Sequence, residues 1–113
     1  MRLSSDQRRT CQRFGVGPVP PARATMVGIA LSRGRDHSPL HALRHPVEGR
    51  GNGWYVWRGP MSEDADFFAP VHIEHIEDHA PELVPYLALP PGWRVLLAPD
   101  HEDVWFDEAL LRD

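Results

Sequence analysis

A chain of 113 residues, 42% hydrophobic and 25% charged, has room for one core and the composition of an ordinary globular protein. Its net charge of −4 is unevenly divided: residues 1–60 hold ten arginines against Asp6, Asp36 and Glu48, while residues 61–113 hold Arg94 and Arg112 against thirteen acids. There is no lysine, which excludes a Schiff-base lysine and the lysine of a phosphate-binding P-loop, and no apolar run nears the roughly 18 residues of a membrane helix.

The opening MRLSSDQRRTCQRF has no apolar stretch suited to a secretory signal, and the single Cys11 has no internal disulfide partner. Both point to a reducing cytoplasm. Twelve prolines and nine glycines predict short elements and many turns. One domain is expected over residues 1–113: an N-terminal helix over 1–16, an extended connector over 17–25, and a sheet-and-helix body over 26–113.

Ser4 or Ser5 can cap the first helix, with Asp6 complementing its dipole, and Gly15 ends it. Cys11 and Phe14 lie three apart on a narrow apolar stripe, so Cys11 reads as a small core residue rather than a nucleophile. GPVPP over 17–21 is extended because proline forbids helix there. Met26–Leu31 reads as a strand. SRGRDHS is a polar turn, and Ser38-Pro39 followed by LHALRH reads as a short helix capped by Ser38. PVEGRGNG over 46–53 is a glycine-rich turn needing positive φ. It precedes a strand instead of following one, so it is not a nucleotide fingerprint.

The strongest local signal is Gly51–Pro60, GNGWYVWRGP. In a strand, Trp54 and Val56 face one way and Tyr55 and Trp57 the other. A strand apolar on both faces needs cover on both and belongs in the middle of a sheet. Trp93, Trp105 and Phe106 are expected to join its core. SEDAD over 62–66 is an acidic turn, and Pro70–Ile73 a short extended piece. Apolar residues at 73, 76, 80, 83 and 87 keep helical spacing, and Pro81 bends the run near Ala80. LPPG over 89–92 turns the chain, WRVLLA and DVWFD form a hairpin about PDHE, and Glu108–Leu111 adds a last helical turn. The class is α+β: a mostly antiparallel sheet of three to five strands with a few short helices.

Chemistry-bearing clusters are few. His72, Glu74, His75, Glu77, Asp78 and His79 have metal-ligand types, but Ile76 stands where a metalloprotease carries its glutamate, and Cys11 cannot complete a closed zinc set. The plainer reading is a solvated helix face, so no metal or other cofactor is expected. No carboxylate or histidine pair is singled out for acid–base work, no nucleophile elbow is present, and no nucleic-acid-binding module appears. The charge asymmetry has two readings: halves that complement each other, or an acidic face offered to a basic partner.

The segments GNGWYVW, HIEHI, YLALPPGWR and EDVWFDE, in this order over residues 40–111, resemble the bacterial immunity-protein 33 domain family. CQRFGV and VGIAL extend the likeness more loosely into the first third. The resemblance implies a non-enzymatic, antitoxin-like protein that binds a cognate toxin; on composition and motifs, no nucleic-acid or membrane partner is expected. The candidate partner-binding surface is Glu63, Asp64 and Asp66 with Glu74, Glu77 and Asp78. The alternative is a small enzyme or ligand-binding domain with a pocket beside the Trp54–Trp57 strand, lined by Arg44, His45, Asn52, Glu74 and His75. A third reading makes Arg44, His45, Glu74 and His75 internal hydrogen-bonding groups that tie loop to sheet.

Overall fold

Helix α1 begins where Ser4 makes a reciprocal capping box: its hydroxyl accepts from the Gln7 amide at 3.1 Å, and the Gln7 side chain accepts from the Ser4 amide at 3.0 Å. In the computed structural model, which describes residues 2–30, 39–62 and 64–112, α1 spans Ser5–Arg13 with Phe14 as its C-cap. The strands are β1 (Met26–Ala30), β2 (Leu40–Arg44), β3 (Gly51–Arg58), β4 (Ala69–His72), β5 (Trp93–Ala98) and β6 (His101–Phe106). A 3₁₀ turn at Ile73–His75 leads into the short helix α2 (Ile76–His79). Further 3₁₀ stretches cover Pro81–Tyr86 and Glu108–Leu111. None of the described helices is long and apolar enough to cross a membrane.

The strands form one six-stranded sheet in the order β4-β1-β3-β2-β5-β6. The β1–β3 pair is parallel and the other pairs are antiparallel. The α+β class holds, but the sheet is larger than expected and mixed. The added strand is β2, the segment read above as a capped helix; its proposed cap Ser38 lies outside the described residues. Five residues alone make a marginal helix. As a strand, Leu40–Arg44 hydrogen-bonds on both sides, to β3 and to β5, and its alternate residues serve both faces.

Register divides the sheet into two unequal faces. On one, Val27, Ile29, Leu40, Ala42, Trp54, Val56 and Val95 pack beneath Cys11 of α1 and beneath Ile73, Ile76, Leu83 and Leu87. Trp54 is fully buried there and its indole N–H donates to the Leu87 carbonyl at 3.0 Å. The break at Ala80 lets the 73–87 run wrap this face in two pieces, as Pro81 demands. On the opposite face a smaller cluster holds Ala30, Leu43, Trp57 and Leu110, with Phe67 and Phe68 against it.

Trp105 and Phe106 do not join the core. They are 39% and 48% exposed, because β6 is an edge strand and β2 and β5 stand between it and β3.

Candidate functional site

Arg44 ends β2 on the helix-covered face, opposite Trp54 in register. It is 1% exposed, and among the described residues no carboxylate pairs with it. Backbone carbonyls take that place. Nε donates to the Asn52 carbonyl at 3.2 Å, and Nη1 reaches the carbonyls of Val19 at 2.5 Å, Leu89 at 2.8 Å and Leu87 at 3.3 Å. The guanidinium also lies 5.7 Å from the Trp54 ring centroid. Burial without a counter-charge pushes its pKa down to about 10. Asn52 is buried beside it: its side-chain oxygen accepts from the Trp54 amide at 3.0 Å and its amide donates to the Thr25 hydroxyl at 3.3 Å. These two residues tie the 17–25 connector and the 87–89 turn to the sheet and face no opening.

The opening is on the other face. A cleft of about 860 Å³ is lined by the 45–48 turn, Tyr55, Met61, Phe68 and residues 110–112. Two glycines shape it. Gly53 holds φ +95, and a Cβ there would stand 1.9 Å from the His45 carbonyl oxygen, so only glycine lets the turn fold back onto β3. At Gly28 a Cβ would meet the Tyr55 ring at 2.7 Å, so the missing side chain gives that ring its place on the sheet. Tyr55 then forms edge contacts with His45 and Phe68, at 5.6 and 5.1 Å between centroids. The His45 Nδ1 lies 3.1 Å from the Leu110 carbonyl, which can only accept, so that nitrogen donates.

Apolar side chains dominate the lining. Val47, Tyr55, Met61 and Leu111 are all exposed, with Met61 58% accessible, and Glu48 and Arg112 supply opposite charges at the border. Such a cleft can receive an apolar side chain or a short segment of another chain, with polar groups fixing its orientation. Among the described residues, no nucleophile–base pair is hydrogen-bonded within it.

The residues predicted for a pocket do not converge. His45 lines the cleft, Arg44 and Asn52 are in the core, and Glu74 and His75 stand on the 3₁₀ turn after β4. Glu74 accepts the Ala24 amide at 2.7 Å, and that hydrogen bond holds its carboxyl below the usual range. His75 is exposed and 3.9 Å from Asp78. Among the described residues, no three His, Cys, Asp or Glu side chains gather as a metal site.

The predicted acidic surface is divided by β4. Asp64 and Asp66 precede it, next to Phe67 and Phe68 on the cleft face, whereas Glu74, Glu77 and Asp78 follow it, among residues that anchor to the helix-covered core. Glu63 lies outside the described residues. Part of the charge asymmetry is spent inside the molecule. Arg13 pairs with Glu102 at 2.6 Å and Arg58 with Glu82 at 3.0 Å, each joining a basic first half to an acidic second half.

Sequence reasoning reached His45 and the glycine turn but not Met61, Leu110 or Leu111. An isolated methionine after Gly-Pro and Leu111 beside the buried Leu110 are weak local signs of exposed apolar groups.

The sequence matches the family model for the Imm33-like domain over residues 6–107. No curated protein and no solved structure matches the chain.

Proposed function

The chain belongs to the Imm33-like domain family, and on that footing we propose that it is an immunity protein that binds and neutralises a cognate bacterial toxin. The match over residues 6–107, most of the chain, is the observation that carries this reading. The protein acts by occupying its partner's surface and needs no cofactor, and it works in the cytoplasm beside the toxin it restrains.

The partner binds at the cleft face. Val47, Tyr55, Met61 and Leu111 give this face exposed apolar and aromatic groups of the kind that anchor interfaces. Asp64 and Asp66, flanked in sequence by the cleft residues Met61 and Phe68, add negative charge that favours a partner with a basic rim and speeds encounter. Glu74, Glu77 and Asp78, on the far side of β4, form a separate acidic group outside this contact.

The test is to co-express the chain with the product of the neighbouring open reading frame. Growth is restored and the two proteins purify as a complex. Absence of both relief and complex overturns the reading.

A further inference from the structure

The two edges of the sheet differ in what they offer. At the β4 edge, the Ile73 amide bonds the Thr25 carbonyl at 2.9 Å, which sets the register. Residues 69 and 71 therefore point their backbone groups inward to β1, and 70 and 72 point theirs outward. Pro70 occupies one of the outward positions and has no N–H to give. A four-residue edge with proline there is poorly suited to accept another strand.

The β6 edge has no such protection. The Asp107 amide bonds the Gly92 carbonyl at 2.7 Å, so by alternation Asp103 and Trp105 bond inward to β5. Glu102, Val104 and Phe106 then aim both N–H and C=O outward, along a six-residue strand with no proline. No described strand lies beyond it, and the exposed Trp105 and Phe106 stand at its end.

We propose that β6 pairs antiparallel with β6 of a second copy of this chain, about a two-fold axis at Val104, forming a continuous sheet across a dimer. Three outward residues on each copy supply about six backbone hydrogen bonds across the seam. Charge selects the register. With the axis at Val104, His101 faces Asp107, Glu102 faces Phe106 and Asp103 faces Trp105, so within residues 101–107 no like charges stand opposite. An axis at Asp103 sets that carboxylate against itself, and one at Trp105 sets Asp103 against Asp107, both costly across a strand pair. On the helix-covered side the chosen register sets Val104 of one copy against Val104 of the other, with each Phe106 diagonal to the other copy's Val104. Because Pro70 obstructs the remaining edge, pairing stops at two copies and does not propagate into a fibre. The proposal does not depend on the toxin-binding reading, which uses the cleft.

The test is sedimentation velocity on the full chain from about 10 μM to about 1 mM. The expected result is a concentration-dependent shift from monomer to dimer. Val104→Pro removes an outward N–H without breaking a bond to β5, and it weakens dimerisation at least tenfold while circular dichroism stays unchanged. Single-cysteine variants check the register independently. Val104→Cys brings two thiols within disulfide reach across the axis and cross-links on oxidation, while Trp105→Cys cross-links at least tenfold more slowly. A monomer throughout the range, assembly beyond two copies, a folded Val104→Pro variant with undiminished dimerisation, or equal cross-linking of the two cysteines overturns the proposal.

Discussion

The two faces of the sheet are made from the same strands yet serve opposite ends. One carries Trp54, Val56, Leu40 and Ala42 under α1 and the 73–87 run, with Arg44 and Asn52 saturated by backbone groups. The other carries Tyr55, Trp57 and Leu43, packed among the described residues by Phe67, Phe68 and Leu110, with a cleft beside them. The difference follows from what packs above, not from the strands, since β3 carries two aromatic side chains on the open side, Tyr55 and Trp57, against Trp54 alone on the covered side. The larger cluster of buried side chains lies on the first face, and the smaller cluster lies beside the cleft on the second.

Substitutions at consecutive residues of β3 test this division most directly. Trp54→Ala removes a fully buried indole and its bond to Leu87, and is expected to cost about 3–5 kcal/mol in urea denaturation. Gly53→Ala, clashing with the His45 carbonyl from a positive-φ position, costs roughly 3 kcal/mol and misplaces the cleft turn. Tyr55→Ala, on the open face, forfeits two edge contacts and costs about 1–2 kcal/mol by the same assay. Equal losses at Trp54 and Tyr55 would erase the comparison.

Acid titration separates the faces by pH. His41, stacked on Trp57 on the open face, has its pKa lowered by burial and by Arg94, so the fold favours its neutral form. Stability therefore begins to fall as pH drops below the ordinary 6.5 and levels off below the depressed value. Glu102, on the covered face, is held below its usual 4.5 by the Arg13 guanidinium and by the Tyr86 hydroxyl. Its contribution is present above pH 4.5 and is lost as pH falls through its lowered value. Tyr86 keeps its proton to about 12, through burial and that same carboxylate. Glu102→Gln is expected to reduce the second decline in melting temperature, to which Glu74 and Asp107 also contribute, and leave the first. The smallest stability effect belongs to Met61→Glu, within about 0.5 kcal/mol in the same denaturation assay, with loss of partner capture in a pull-down.

The sequence showed elements whose cause is local. The alternation of Trp54–Trp57, the capping serine before α1 and the proline-broken spacing from Ile73 to Leu87 act within a few residues, and each was legible. β2 was not, because Ser-Pro before LHALR is a sound local helix signal, and only pairing with two distant strands overrides it. The same limit applies to the cleft, assembled from the 45–55, 61–68 and 110–112 stretches. His45 and the Gly49–Gly53 turn could be singled out, but the apolar groups that meet them are set by topology. Trp105 and Phe106 were misjudged for a related reason: a hydrophobic strand reads alike at the centre and at the edge.

Arg44 has a consequence for how the protein comes apart. Its guanidinium bonds carbonyls 25, 43 and 45 residues away, so these contacts require the connector and the 87–89 turn to have arrived. Contacts of this sequence separation are expected to form late in folding and break early in unfolding, which would make the arginine a latch on the unfolding barrier rather than a guide to assembly. Arg44→Met should accelerate unfolding in stopped-flow denaturant jumps and leave the refolding rate almost unchanged. In the immunity role proposed above, slow opening serves such a protein better than fast folding.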